Sequence, residues 1–238
     1  MLLELENICF TRDNRKILDN VSLKIDLQKF VAITGPNGSG KSTLVKIIMG
    51  IEKPDSGKVI FNGQDITNMK INERAKLGMS FAFQQPVKFK GITVFDLLKI
   101  AAKKEIDKKE ACEVLAKVGL CAREYVDREV NNSLSGGELK RIEIATVVLR
   151  GAKLTIFDEP EAGIDLWSFN NLIDIFEELS EDVKGTTIII SHQERILKIA
   201  DEIILMKQGH IEKIGKSYEE IEKEIFNKEC CILNKKRK

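Results

Sequence analysis

The feature that most restricts the fold of this chain is a glycine-rich run between an apolar segment and a helix-forming one. Residues 35–43 read Gly-Pro-Asn-Gly-Ser-Gly-Lys-Ser-Thr, which matches the pattern GxxxxGK followed by Ser or Thr. Residues 30–34 are apolar on both faces, as in a buried parallel strand, and residues 42–49 carry a helical pattern. A strand, a glycine-rich loop and a helix in this order predict an α/β fold whose loop surrounds a phosphate group.

Each residue type in this loop suits a bound triphosphate. Glycines let consecutive backbone N–H groups point at phosphate oxygens, and the start of the following helix adds partial positive charge. Lys41 supplies a cation for the β- and γ-phosphates, and the Ser42 hydroxyl is a candidate ligand of Mg²⁺. The predicted phosphate-binding residues are Gly35, Pro36, Asn37, Gly38, Ser39, Gly40, Lys41, Ser42 and Thr43.

Two acids follow a later apolar segment. Residues 154–157 have the pattern of a buried strand, and Asp158 and Glu159 come at its carboxyl end, the edge where open α/β sheets bind ligands. Asp158 is therefore a candidate ligand of Mg²⁺, directly or through water. Hydrolysis of a triphosphate needs a water molecule in line with the γ-phosphate, and Glu159 is the candidate for polarising or positioning it.

Strands and helices alternate along much of the chain. Alternating polar and apolar residues between 3 and 30 predict antiparallel strands. A second apolar strand is predicted over 187–190, and an amphipathic helix around 166–179 lies between it and the strand at 154–157. The repeated alternation predicts a parallel α/β core with right-handed crossovers and an antiparallel β subdomain.

The strand pattern disappears between 86 and 133. Apolar residues at helical spacing over 94–102 and 108–118 predict a helical insertion there. Residues 221–238 are amphipathic and then basic, and the closing Lys-Lys-Arg-Lys is predicted to be a solvated tail rather than a contact for nucleic acid or lipid.

Composition excludes several classes of protein. Lys and Arg (38) nearly cancel Asp and Glu (37), so the charge indicates no nucleic-acid partner. No apolar run approaches the ~18 residues of a membrane span, and residues 1–6 do not resemble a secretory signal, so no membrane insertion and a cytoplasmic location are expected. Five cysteines without CxxC spacing argue against a zinc or disulfide framework, and the vicinal Cys230 and Cys231 are too few to ligate an iron–sulfur cluster alone.

A second glycine-rich turn carries the resemblance to a known family. Residues 134–138 read Leu-Ser-Gly-Gly-Glu and open a helical stretch over 139–149, which predicts a further anion site at a helix start. This run resembles the signature motif of ATP-binding cassette (ABC) ATPases. The resemblance implies a P-loop NTPase fold, ATP with Mg²⁺ as cofactors, and one domain over 1–238, with a RecA-like core in 1–85 and 134–220 and a helical subdomain in 86–133.

The resemblance also assigns roles to residues outside the phosphate loop. It implies that Gln84 senses Mg²⁺ and the attacking water, that His192 bonds the γ-phosphate, and that Asp165 couples two sites. Ser135, with Gly136 and Gly137, would touch a γ-phosphate held by a second subunit. The family therefore implies self-association into an ATP-sandwich dimer. Arg12 stands where the family usually has a base-stacking aromatic, so the adenine contact is left unassigned.

Finer motifs resemble one branch of the family, the SufC ATPase of the Suf iron–sulfur cluster assembly system. These are residues 83–87, the run Lys140-Arg141 after the signature, Glu161, and Ser191-His192-Gln193. The resemblance implies a SufB/SufD-type scaffold as the partner that ATP binding would move. The alternative is the nucleotide-binding subunit of an ABC membrane transporter, whose partner would be a permease. An apolar stretch after Gln84 would either dock the partner or pack the insertion's own core: Val87, Phe89, Ile92, Val94 and Phe95.

Overall fold

A computed structural model of the chain describes residues 1–85, 87, 89–102, 104–162, 166–181 and 185–226. Its helices and strands follow the predicted order. The elements are β1 (Leu3–Arg12), β2 (Arg15–Ile25), β3 (Phe30–Thr34), α1 (Lys41–Met49), β4 (Ser56–Phe61), β5 (Gln64–Asp65), α2 (Ile71–Lys76), β6 (Met79–Ala82), α3 (Val94–Ala102), α4 (Lys108–Lys117), α5 (Ala122–Tyr125), α6 (Gly136–Arg150), β7 (Leu154–Asp158), α7 (Leu166–Glu181), β8 (Thr186–Ile190), α8 (Glu194–Lys198), β9 (Glu202–Lys207), β10 (His210–Gly215) and α9 (Tyr218–Phe226).

The chain divides into two compact units. The first unit comprises Met1–Ile71 and Ile190–Lys238, and the second comprises Asn72–Ile189. Helices α3 to α5 lie within the predicted helical subdomain of residues 86–133. The limits assigned to that subdomain stay a prediction.

The first unit contains the predicted antiparallel strands and the strand that leads into the glycine-rich loop. Strands β2, β1, β4 and β5 form an antiparallel sheet in that order, in which Leu3 faces Ile25 on one side and Phe61 on the other. Strand β3 is buried at all five positions and pairs in parallel with β9, which pairs antiparallel with β10. Burial on both faces explains its uninterrupted apolar sequence.

The second unit combines parallel strands with most of the helices. Strand β6 pairs in parallel with β7, Met79 opposite Leu154, and β8 lies next to β7. The ring of Phe157 on β7 contacts that of Phe176 on α7 edge-on, with centroids 5.0 Å apart. The predicted helices over 94–102 and 108–118 are confirmed as α3 and α4. Among the residues that the structure describes, no helix has both the length and the apolar character needed to cross a membrane.

Candidate nucleotide-binding site

The glycine-rich loop joins β3 to α1 in a backbone conformation that glycine favours. Gly35, Gly38 and Gly40 all have positive φ, of 136°, 79° and 100°. A Cβ atom at Gly35 would lie 2.0 Å from the carbonyl oxygen of Met206, so this position excludes every other residue. Gly38 is exposed and open, with no atom within 4 Å of such a Cβ. The loop therefore packs against the unit at its first glycine and opens to solvent at its centre.

Lys41 is the first residue of α1 and points back over the loop. Its Nζ donates hydrogen bonds of 2.7 Å to the Gly35 carbonyl oxygen and 3.1 Å to that of Pro36, and the residue is only 4% exposed. A phosphate oxygen would offer this buried ammonium a stronger, charge-assisted partner than a neutral carbonyl.

The residues around Lys41 fit a phosphate ligand. Gly40 is the N-cap of α1 and provides no side chain for the helix start, and the first turn carries no acidic residue. The Ser39 hydroxyl is buried and has no hydrogen-bond partner in the described part of the chain. Ser42 and Thr43 are half-buried in the first helical turn. A helix start without a competing acid, next to a buried hydroxyl, is suited to the phosphates of ATP with Mg²⁺.

The acidic residues lie in the second unit, at the end of β7. Asp158 is the last residue of the strand and is buried, and Glu159 follows with a positive φ of 45°. A left-handed conformation at a glutamate stores backbone strain of the kind that is concentrated at functional sites. Gln84 follows β6, the strand paired with β7, and its Nε2 donates a 2.9 Å hydrogen bond to Oε2 of Glu159. The structure therefore brings together two of the three predicted catalytic residues.

The signature turn forms the start of α6. Ser135 is the N-cap, its hydroxyl accepts from the Glu138 backbone N–H, and the Glu138 carboxylate accepts from the Ser135 N–H, which together form a capping box. The Tyr125 hydroxyl donates to the other oxygen of Glu138. Burial alone would raise the pKa of Glu138, but the hydrogen bonds from Tyr125 and Ser135 outweigh it and lower the pKa. Ser135 and Gly136 are exposed, so this helix start is open to a ligand.

Helix α6 also holds the backbone next to Gln84. Lys140 Nζ donates to the Phe83 carbonyl oxygen, and the Phe83 N–H donates to Oε1 of Glu143 at 3.0 Å. Lys140 and Glu143 form an ion pair with an N–O distance of 2.9 Å. Burial raises the pKa of Glu143, while Lys140 opposes that shift. Neither role is predicted by the sequence, because a lysine and a glutamate three residues apart are typical of an exposed helix face.

The remaining predicted site residues and Arg12 lie in the first unit or outside the described residues. His192 follows β8 and is exposed, next to Ser191, whose hydroxyl accepts from the Gln193 N–H at 3.0 Å. Asp165 lies outside the described residues, as do Cys230 and Cys231. Arg12 pairs with Glu52 at 2.5 Å and lies 5.6 Å from the centroid of the Phe10 ring. No group of three or more His, Cys, Asp or Glu in the described ranges is arranged to hold a metal ion.

Comparison with known proteins decides the family. A family model described as ABC transporter matches residues 18–162, which span the glycine-rich loop, the signature turn and both acids. The chain belongs to the ABC transporter family. It is an ABC ATPase, with the P-loop NTPase fold of that family and ATP and Mg²⁺ as its cofactors.

Several proteins similar to this cassette bear the names of transporter components. It is 41% identical over 245 residues to an uncharacterized ABC transporter ATP-binding protein of Methanocaldococcus jannaschii, covering 99% of this chain and 96% of that protein. It is 32% identical over 220 residues to a spermidine/putrescine import ATP-binding protein of Mesoplasma florum, covering 90% of this chain but 61% of that longer protein. A dimeric, post-hydrolysis structure of the ATP-binding cassette MJ0796 with ADP and phosphate superposes with a TM-score of 0.79 at 25% identity, covering 90% of this chain and 98% of that one.

Proposed function

We propose that this cassette is the ATP-hydrolysing subunit of an ABC transporter, working as an ATP-dependent pair docked on a membrane permease. The observation that carries the proposal is the near full-length match to a protein described as a transporter ATP-binding protein. The import ATPase of Mesoplasma florum supports the same class over 90% of this chain.

The glycine-rich loop is proposed to hold the phosphates of ATP. Lys41 would exchange its two carbonyl partners for phosphate oxygens, and the buried Ser39 hydroxyl would gain a partner. Ser42 and Asp158 are the proposed ligands of Mg²⁺, which would neutralise phosphate charge during transfer.

Glu159 and Gln84 are proposed to prepare the attacking water. The hydrogen bond from Gln84 orients the carboxylate of Glu159, which is the proposed acceptor for a water proton. Glu159 has a left-handed backbone conformation, with a φ of 45°, directly after the last residue of β7. His192 is proposed to bond the γ-phosphate and Asp165 to couple the two sites, as the family resemblance implies.

The exposed start of α6 supports the paired state. Ser135 presents its hydroxyl at a helix N-terminus, with Gly136 beside it and Gly137 in the first turn. We infer that this turn binds the γ-phosphate held by a second copy of the chain, since one chain has a single phosphate loop and a single signature. The dimeric MJ0796 cassette supports this arrangement.

The permease is proposed to bind at an apolar surface of the second unit. Val94 is fully buried and therefore belongs to the core, whereas Val87 is 49% exposed. Val87 borders a cavity of about 200 Å³ whose other apolar lining residues include Phe83, Phe89, Leu97 and Val130. An exposed valine beside an apolar cavity is suited to an apolar segment of a partner.

A second candidate function keeps the same chemistry with another partner. The motifs that resemble SufC include Glu161, which follows the acid pair, and Gln193 after His192. These residues favour a SufB/SufD-type scaffold as the partner that ATP binding moves. ATP hydrolysis is common to both candidates, so the partner alone separates them.

Affinity purification from the native host tests the choice of partner. The tagged chain is recovered from detergent-solubilised membranes and, separately, from the soluble fraction, and the bound proteins are identified by mass spectrometry. Stoichiometric recovery of an integral membrane permease supports the transporter. Stoichiometric recovery of a soluble SufB/SufD-type protein with no permease would replace that proposal with the Suf one.

A pair of matched variants tests the proposed surface. Val87→Glu places a charge beside the cavity and is expected to reduce partner recovery strongly. Ile214→Glu changes an equally exposed apolar residue, at 47%, in the first unit and is expected to leave recovery unchanged. Equal recovery with both variants would reject the surface while leaving the partner's identity intact.

A further inference from the structure

Two side chains of α6 hold both backbone polar groups of a single residue at the end of β6. The Phe83 carbonyl oxygen accepts from Lys140 Nζ, and the Phe83 N–H donates to Glu143 Oε1 at 3.0 Å. The two residues lie one helical turn apart, so their side chains project from the same face. Phe83 is therefore clamped at both backbone groups by one helix.

The clamp is a buried ion pair. The side chains of Lys140 and Glu143 are 2% and 13% exposed, and their charged groups are 2.9 Å apart. Buried ion pairs contribute little net stability compared with apolar residues of similar volume, and their best-attested use is to select one conformation. Each charged group of this pair also bonds the backbone of Phe83.

The position of Phe83 decides where Gln84 lies. The Phe83 side chain is 37% exposed, so its burial alone does not fix the strand end. Gln84 is itself exposed, and its 2.9 Å hydrogen bond to Glu159 spans 75 residues of sequence. A shift of about 1 Å in the backbone before Gln84 would lengthen that bond beyond hydrogen-bonding distance.

We propose that Lys140 and Glu143 are positioning residues for hydrolysis, which act by holding Gln84 against the Glu159 carboxylate. The clamp also connects α6, whose N-cap is Ser135, to the backbone that precedes Gln84. This inference rests on the roles of Gln84 and Glu159 proposed above, and it is independent of the partner that the chain serves.

A double-mutant cycle on the purified full chain tests this. The clamp is removed with Lys140→Met/Glu143→Leu, which replaces both charges and leaves neither one buried alone. The same change is made in a Gln84→Ala background, and kcat and KM for ATP are measured in each. Lys108→Met/Asp127→Leu is the control, because it removes an exposed pair, 2.7 Å apart, from the same unit.

The clamp variant is expected to lower kcat by about tenfold or more and to change KM by less than about twofold. In the Gln84→Ala background the same change is expected to lower kcat no further, because the residue through which it acts is gone. The control variant is expected to match the parent. Amide exchange at Phe83 is expected to accelerate while that of the α6 interior does not.

Three results would overturn the inference. An equal fold-loss in both backgrounds would make the clamp a general structural element. A rise in KM with unchanged kcat would place it in nucleotide binding. A Gln84→Ala chain as active as the parent would overturn the role of Gln84 together with the inference. If the apolar variant does not fold, the near-isosteric Glu143→Gln is used in its place. Its loss of kcat is expected to be smaller, and that loss must also be absent in the Gln84→Ala background.

Discussion

Gln84 Nε2 donates a hydrogen bond of 2.9 Å to the carboxylate of Glu159, which joins the ends of two neighbouring parallel strands. The amide N–H donates and the carboxylate accepts, so the bond holds the Glu159 side chain in one orientation. The pair is assembled within the second unit by its own strands and helix. The contact between Gln84 and Glu159 therefore lies wholly within the second unit.

Replacing the carboxylate tests its role directly. Glu159→Gln keeps the size of the side chain but removes the proton acceptor, so we expect ATP hydrolysis to fall by about 100-fold or more while ATP binding is retained. Steady-state phosphate release and a nucleotide-binding titration measure the two effects. Glu178→Gln, an exposed acid on α7, is the control and should behave as the parent. Unchanged hydrolysis in Glu159→Gln would refute the assignment.

Removal of the Lys41 side chain should weaken the binding of ATP itself. Lys41→Ala deletes the buried ammonium that is proposed to meet the phosphates, so ATP affinity is expected to fall by about 100-fold, equivalent to about 2.7 kcal/mol. Lys46→Ala, later on the same helix, is the control. A Lys41→Ala chain that binds ATP as tightly as the parent, at an unchanged Tm, would show that the loop does not use this cation.

Two glycines of the loop should differ sharply on substitution. Gly35→Ala places a Cβ 2.0 Å from the Met206 carbonyl oxygen, so we expect a loss of more than about 3 kcal/mol of unfolding free energy. Gly38→Ala meets no atom within 4 Å and carries only the strain of a positive φ, which costs about 1–2 kcal/mol. Urea unfolding of both variants measures the difference. Equal losses of unfolding free energy in the two variants would contradict a loop that is packed at Gly35 and open at Gly38.

The Tyr125 hydroxyl should stabilise the chain in a pH-dependent way. Its hydrogen bond helps to lower the pKa of Glu138, and a carboxylate with a lowered pKa contributes stability that is present at neutral pH and is lost as pH falls through that pKa. Tyr125→Phe is therefore expected to lower the free energy of unfolding by about 1 kcal/mol at pH 7, since Glu138 is only half-buried. The loss should become progressively smaller below about pH 4. In a Glu138→Gln background this pH dependence should disappear. A loss of unfolding free energy that is the same at pH 7 and below about pH 4 would mean that the tyrosine acts by packing.

The sequence predicted best those features that depend on local spacing. The loop between β3 and α1 and the limits of α3 and α4 followed from a motif and from helical periodicity. Helix α6 begins at Gly136, three residues before the start predicted at residue 139. The predicted start was late because the two glycines indicated a turn. The capping pair Ser135 and Glu138 was the signal that would have placed that start correctly.

Features that join distant parts of the chain could not be predicted in the same way. Gln84 and Glu159 were each chosen by motif, but their hydrogen bond depends on the pairing of β6 with β7. Lys140 is 57 residues from Phe83, and charged side chains are on average exposed, so sequence alone favoured a solvent position for it. The identity of the partner depends on a surface of the folded chain and on another molecule. Neither leaves a local pattern in the sequence.

We expect MgATP to join two copies of this chain, with each Ser135 completing the site of the other. Sedimentation of the Glu159→Gln variant with and without MgATP measures this most directly, with Ser135→Arg added in a second sample and the exposed Ser133→Arg as its control. The expected result is a species of two 26.9 kDa chains with MgATP, single chains without it, and loss of the pair only with Ser135→Arg. A single-chain mass at saturating MgATP, with the nucleotide bound, would rule out the nucleotide-dependent pair.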